Sequence, residues 1–66
     1  MRFAYIDSQD KEVSIPGVDG LRLRIELGAI ADDTMFYDSA ADRWAPAVEH
    51  EVFRTLKREL AGRGSG

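Results

Sequence analysis

The feature that most constrains this chain is the absence of cysteine from a sequence of only 66 residues. Chains of this length lie near the lower limit at which one hydrophobic core supports a fold, and many are reinforced by disulfides or a structural metal. Without cysteine, disulfides and thiolate metal sites are both excluded. The single histidine, His50, cannot supply an imidazole-rich site. Close packing or a partner must therefore stabilise the fold, and this favours a binding role.

The composition is that of a globular domain, with 44% apolar and 32% charged residues. Charge at Arg2 and Asp7 argues against a signal peptide. No apolar run approaches the roughly 18 residues that would span a bilayer. The sequence therefore predicts one domain with no membrane span, located in the cytoplasm.

The net charge of −3 is unevenly distributed. Residues 1–53 carry eleven acidic and five basic side chains, whereas residues 54–66 carry four basic side chains and one acidic. An acidic body repels phosphates, and basic residues at the end of a predicted helix complement the helix dipole. Nucleic acid is therefore not an expected partner.

Four short segments have strand character. Residues 2–7 have strand character, with Phe3 and Tyr5 on one face and Ala4 and Ile6 on the other. Residues 12–15 follow after a turn, which predicts a hairpin. Residues 35–37 and 43–45 are separated by turn residues and predict a second pair of strands, which Pro46 ends.

The segment 18–27 is ambiguous on the residues alone. Leu21, Leu23, Ile25 and Leu27 alternate with charged residues, which favours a strand. However, Gly28 suits a left-handed helix cap, and Val18, Leu21 and Ile25 also share one face of a helix.

The last segment gives the clearest pattern, a helix with acidic residues in its first turn and basic residues in its last. Five apolar residues at helical spacing predict its buried face: Val48, Val52, Phe53, Leu56 and Leu60. Residues 62–66 have the composition of a flexible Gly/Ser tail, which leaves residues 1–61 as the single domain.

The order of these elements resembles the bacterial GYF-like domains. Three segments carry the resemblance: residues 23–30 with their Gly-x-Ile ending, Asp33-Thr34 before a strand, and Trp44-Ala45-Pro46-Ala47 at the end of the next. The resemblance covers about residues 3–60. It implies an α+β domain, a small antiparallel sheet packed against one or two helices, and it makes residues 18–27 a helix.

The resemblance also implies a protein-interaction role, often beside membrane proteins. The eukaryotic relatives bind proline-rich peptides through Gly-Pro-Phe/Tyr and Gly-Tyr-Phe signatures, and both signatures are missing here. Ile15-Pro16-Gly17 stands near the place of the first, without its aromatic residue. Binding of proline-rich peptides therefore does not follow from the resemblance.

No constellation of residues predicts catalysis or a cofactor. The carboxylates at 32, 33, 38 and 42 lack the spacing of a calcium loop and are typical of turns. No serine has the flanking glycines of an exposed nucleophile, and no glycine-rich phosphate loop is present. His50, between Glu49 and Glu51, is expected to be a solvated surface residue. The sequence predicts neither an enzyme nor a cofactor, metal or small-molecule site.

Aromatic residues are the remaining indication of function. Phe36 and Tyr37 are adjacent on a strand and must point to opposite faces of the sheet, so one of them faces away from the core. Exposed aromatic side chains are frequent at interface hot spots. The candidate partner-binding residues are Tyr5, Phe36, Tyr37 and Trp44; the alternative is that Phe36 and Trp44 belong to the core with Tyr37 half exposed.

Two functions follow as hypotheses. The first is a soluble, non-enzymatic protein-protein interaction module that binds its partner through an aromatic sheet face. The second is a permanent accessory subunit on the cytoplasmic face of a larger membrane complex, for example an energy-transducing or photosynthetic assembly.

Overall fold

The computed structural model describes residues 2–64 and contains four strands and two helices within them. A single 3₁₀ turn, Ala47–Glu49, connects the last strand to the last helix. The strands are β1 (Phe3–Ile6), β2 (Glu12–Ile15), β3 (Met35–Asp38) and β4 (Arg43–Pro46), and the helices are α1 (Val18–Glu26) and α2 (Glu51–Gly64).

The four strands form one antiparallel sheet in the order β2-β1-β3-β4. The predicted hairpin is present, with Tyr5 opposite Val13. On the other side of β1, Tyr5 pairs with Phe36 of β3. The predicted class, a small α+β fold with an antiparallel sheet and helices, is confirmed.

Both helices pack against the same face of the sheet. Phe3, Tyr5 and Phe36 project from the strands into a core that receives Leu21 and Ile25 from α1. The remaining core residues come from β2, the loop after α1, the 3₁₀ turn and α2: Ile15, Ile30, Ala47, Phe53 and Leu56. One face of the sheet is thus covered by helices and the other is not.

The ambiguous segment is a helix, and its alternation has a simple explanation. Leu21 and Ile25 are buried, whereas Leu23 in α1 and Leu27, the residue after it, are exposed. These four apolar residues fall alternately on two faces of the helix, with charged residues between them. Along the sequence this gives the same apolar–charged alternation as a strand. Val18, predicted on the same face as Leu21 and Ile25, is 44% exposed. Gly28 adopts a φ of 79°, the left-handed cap that its position predicted.

The last helix begins three residues later than its apolar pattern predicted. Ala47 N–H donates to the Thr34 carbonyl at 2.8 Å, which continues the sheet pairing past Pro46 and turns Ala47 into the core. Val48 is therefore 42% exposed and is not part of the buried helix face. The helix is described to Gly64, so it includes three residues of the predicted tail; residues 65 and 66 lie outside the described part.

The expectation that His50 is a solvated surface residue is wrong. His50 lies between the 3₁₀ turn and α2, and only 4% of its surface is exposed. Its Nε2 is 2.9 Å from the Phe36 carbonyl oxygen. Because a carbonyl can only accept, Nε2 carries the hydrogen and donates it. The ring also meets the Phe36 ring edge to face, with centroids 5.0 Å apart.

Neither helix between residues 2 and 64 combines the length and the apolar character that crossing a membrane requires.

Candidate functional site

The uncovered side of the sheet is here called the outer face. Side chains alternate along a strand, so the neighbours of Phe3, Tyr5 and Phe36 point away from the helices. The register places Tyr37 between Ala4 and Trp44 in one row across the sheet. The outer face consists of Ala4, Ile6, Glu12, Ser14, Met35, Tyr37, Trp44 and Pro46.

The centre of the outer face is apolar. Trp44 is 40% exposed and Met35 is 42% exposed, while Ile6, Tyr37 and Pro46 are half-buried. Met35 pairs with Pro46, and continuing the β1–β3 register by one residue sets Ile6 beside Met35. These five side chains form a continuous surface across three strands with no helix over it.

The two aromatic residues of this surface contact each other. Tyr37 and Trp44 are directly paired across β3 and β4, with ring centroids 5.4 Å apart and a tilt of 39° between the planes. The Tyr37 hydroxyl donates a hydrogen bond of 2.7 Å to Asp42 Oδ1. Asp42 has a φ of 52° in the turn between the two strands. The turn thus holds the Tyr37 ring, which in turn supports Trp44.

The hydrogen bond to Asp42 raises the pKa of Tyr37 above its ordinary value, and burial and the negative charge of Asp42 act in the same direction. The bond requires the protonated phenol. Because the folded-state pKa lies above that of the unfolded chain, the bond contributes stability below about pH 10, the ordinary pKa of tyrosine. This contribution is lost as the pH rises through the folded-state pKa.

We predict that Asp42→Asn lowers the pKa of Tyr37 towards its ordinary value, because asparagine removes the charge and tolerates the same backbone conformation. The measurement is an NMR titration of the Tyr37 ring carbons. Asp10→Asn is the matched control, since Asp10 also has a positive φ, 64°, but lies in the β1–β2 turn. An unchanged Tyr37 titration in Asp42→Asn would show that the negative charge of Asp42 does not set this pKa.

A cation borders the same surface. Arg2 N–H donates to Ser39 Oγ at 2.8 Å, and Ser39 N–H donates to the Arg2 carbonyl at 2.9 Å. This pair continues the β1–β3 ladder beyond Phe3 and places the Arg2 side chain on the outer face. Arg2, Pro16, Tyr37 and Ser39 line a cleft of about 560 Å³ that is open to solvent.

The structure brings together two of the four predicted partner-binding residues, Tyr37 and Trp44. It corrects the prediction for the other two: Tyr5 is 4% exposed and Phe36 is fully buried, because both project towards the helices. The alternative is confirmed for Phe36, which lies in the core, and for Tyr37, which is half-buried, and it is wrong for Trp44, which is 40% exposed. Strand alternation separated Phe36 from Tyr37, but it could not say which face the helices cover.

Sequence reasoning missed Ile6, Met35, Pro46 and Arg2 as members of the surface. Strand periodicity could have identified two of them. Residues two apart on a strand share a face, so Met35 lies on the same face as Tyr37, and Pro46 on the same face as Trp44. Arg2 and Ile6 could be added only once the register between β1 and β3 was known.

A second exposed apolar feature lies on the helical side of the molecule. Leu23 and Leu27 protrude from α1 with 52% and 72% of their surfaces exposed. Near the ends of the two helices, Ile25, Ile30 and Leu60 line an open groove. Glu26 and Lys57 also line this groove, and the contacting aromatic pair lies on the outer face instead.

Residues 2–64 hold no group of three or more histidine and carboxylate side chains placed to bind a metal ion. The imidazole of His50 is buried, with its Nε2 engaged by a backbone carbonyl.

Comparison of the chain with known proteins gives no match to a family model, to a curated protein or to a solved structure.

Proposed function

We propose that this chain is a non-enzymatic protein-interaction module that binds its partner with the outer face of its sheet. One observation carries the proposal: half-buried Tyr37 contacts exposed Trp44 on a face that no helix within residues 2–64 covers. The buried position of His50, the only histidine of the chain, supports a role without catalysis.

The composition of the outer face fits a protein partner. Tryptophan, tyrosine and methionine are enriched at the centres of protein interfaces, where a polar rim surrounds them. Here Trp44, Tyr37 and Met35 form the centre, while Glu12 and Arg2 lie at the margin. The contact between Tyr37 and Trp44 fixes both rings before binding, which lowers the entropy lost on association.

The size of the outer face favours an exchangeable partner. Four strands of four residues, at spacings of about 4.8 Å and 3.3 Å, span roughly 200–250 Å². A stable complex buries about 800 Å² on each partner, so this face alone fits a transient contact. A permanent accessory subunit of a membrane complex would need further contact area, for which exposed apolar residues outside the outer face are available: Val18, Leu23, Leu27 and Val48.

We also propose that the domain is GYF-like and cytoplasmic. Two of the segments that carry the resemblance are joined by the hydrogen bond from Ala47 N–H to the Thr34 carbonyl. The Thr34 hydroxyl oxygen in turn accepts the Ala31 N–H at 2.9 Å. The Asp-Thr and Trp-x-Pro-Ala segments therefore act as one unit, which is a physical reason for finding them together. A cytoplasmic location is supported by the absence of cysteine.

The proposal is tested by recovering partners of the tagged chain from its native source, with Trp44→Ala beside the unchanged protein. Truncation of a hot-spot residue lowers the binding free energy by about 2 kcal/mol or more. We therefore expect recovery of the partner to fall about 30-fold. Val48→Ala is the control, since Val48 is as exposed as Trp44 but lies outside the outer face.

Equal recovery with Trp44→Ala and Val48→Ala would refute binding through the outer face. A partner that stays bound at a fixed ratio through extensive dilution would instead identify the chain as a permanent accessory subunit.

A further inference from the structure

We propose that the outer face recognises an acidic side chain of its partner, which enters the cleft between Arg2 and Tyr37, while an apolar side chain of the same segment packs on Trp44. This inference rests on the proposed function and specifies the chemistry of the partner: an extended segment with a single carboxylate near an apolar anchor.

The Arg2 side chain is positioned by its backbone. The Arg2 N–H donates to Ser39 Oγ, and the Arg2 carbonyl accepts the Ser39 N–H. Both backbone groups of Arg2 are therefore occupied, although Arg2 precedes the first residue of β1. The backbone of Arg2 is thus anchored at the edge of the cleft, and its guanidinium offers planar donors to a carboxylate beside the Tyr37 ring.

The polar groups that line the cleft act mainly as donors. The Ser39 hydroxyl oxygen already accepts the Arg2 N–H, so its own hydrogen is free to donate. The Tyr37 hydroxyl is committed to Asp42. Guanidinium and hydroxyl donors together fit an anionic acceptor better than a neutral or cationic group.

The acidic residues near the cleft make no ion pair with Arg2 within residues 2–64. Asp42 Oδ1 accepts the Tyr37 hydroxyl, and Asp38 is buried on the opposite face, where its Oδ1 accepts the Ala40 N–H. Within residues 2–64, Arg22, Arg43 and Lys57 each have a carboxylate within 4 Å, whereas no ion pair involves the Arg2 side chain. Arg2 is thus a cation on the outer face without a carboxylate partner of its own.

Charge and distance restrict the partner further. The net charge of −3 repels a run of acidic residues at long range, so a single carboxylate among uncharged residues is favoured.

Arg2 and Trp44 are two strand spacings and two residues along the strand apart, which is about 12 Å. An extended chain advances about 3.3 Å per residue, so the carboxylate and the apolar anchor should lie about four residues apart.

The test uses two synthetic peptides of five residues, acetylated and amidated, with leucine first, Ser-Gly-Ser between, and either glutamate or glutamine last. Binding is followed by amide and indole NMR shifts of the isotope-labelled chain. We expect the glutamate peptide to shift Ser39, Tyr37 and the Trp44 indole, and the glutamine peptide to bind about tenfold more weakly.

Arg2→Gln should remove the difference between the two peptides. Arg24→Gln, which changes an exposed arginine on α1, should preserve it.

Equal binding of both peptides to the unchanged chain, or a difference that persists in Arg2→Gln, would overturn this inference. Shifts at Trp44 that are equal for both peptides would overturn it while supporting the outer face as the binding surface. Absence of any shift on the outer face would also overturn it, and the partner-recovery experiment would still decide the proposed function separately.

Discussion

Phe36→Ala is expected to remove much or all of the folding stability of this chain at room temperature. The Phe36 side chain is fully buried, stacks on Phe3 with centroids 5.9 Å apart, and meets the edge of the His50 ring. Removing a buried phenylalanine side chain costs about 3–5 kcal/mol. The free energy of unfolding is about 0.05–0.15 kcal/mol per residue, which gives only about 3–10 kcal/mol for a chain of this length. The substitution therefore removes much or all of it.

The measurement is urea and thermal unfolding followed by circular dichroism. Met35→Ala is the matched control, because Met35 is the preceding residue of the same strand but points to the outer face and is 42% exposed. We expect its cost to stay below about 1 kcal/mol, as for surface substitutions in general. Similar losses for the two variants would mean that the assignment of the faces of β3 is wrong.

The secondary structure was largely predictable because each element has a local signal. Short runs that contain aromatic or β-branched residues located the four strands, and the turn residues between them predicted the two strand pairs. The exception is α1, in which the leucines at 23 and 27 are exposed and create a false strand pattern. No local rule identifies an exposed leucine in advance, since that depends on which side of the helix the sheet occupies.

The candidate site was only half predictable. The sequence establishes that Phe36 and Tyr37 face opposite sides of the sheet, but the side that becomes buried is decided by where the helices cross it. Both helices pack on the side of Phe36, so Tyr5 goes to the core with it. Trp44 then follows Tyr37 to the outer face through the β3–β4 register, which depends on the turn containing Asp42.

The position of His50 was not predictable, because its surroundings come from a strand 14 residues earlier in the chain. Two glutamates flank it in sequence, and such a context suggests solvent. The 3₁₀ turn that follows Pro46 rotates the chain before α2 begins, and this rotation directs His50 inwards while Glu49 and Glu51 remain exposed. A pattern of apolar residues cannot reveal a polar residue whose partner is a backbone carbonyl.

His50→Ala is therefore expected to destabilise the fold by about 2–4 kcal/mol. The buried hydrogen bond to the Phe36 carbonyl accounts for about 1–3 kcal/mol, and the lost contact with the Phe36 ring for about 0.5–1.5 kcal/mol. Unfolding by urea measures the sum. Glu51→Ala, at the next position, should cost less than about 1 kcal/mol, because it removes only an exposed acidic residue at the helix N-terminus.

His50→Phe separates the two contributions, because phenylalanine keeps an aromatic ring against Phe36 and removes the donor. An intermediate loss, about 1–3 kcal/mol, is expected if the hydrogen bond stabilises the fold. If His50→Phe is as stable as the unchanged chain, the ring contact alone explains why this position is buried. If His50→Ala costs no more than Glu51→Ala, the histidine is not part of the core, and α2 meets the sheet differently from the arrangement described above.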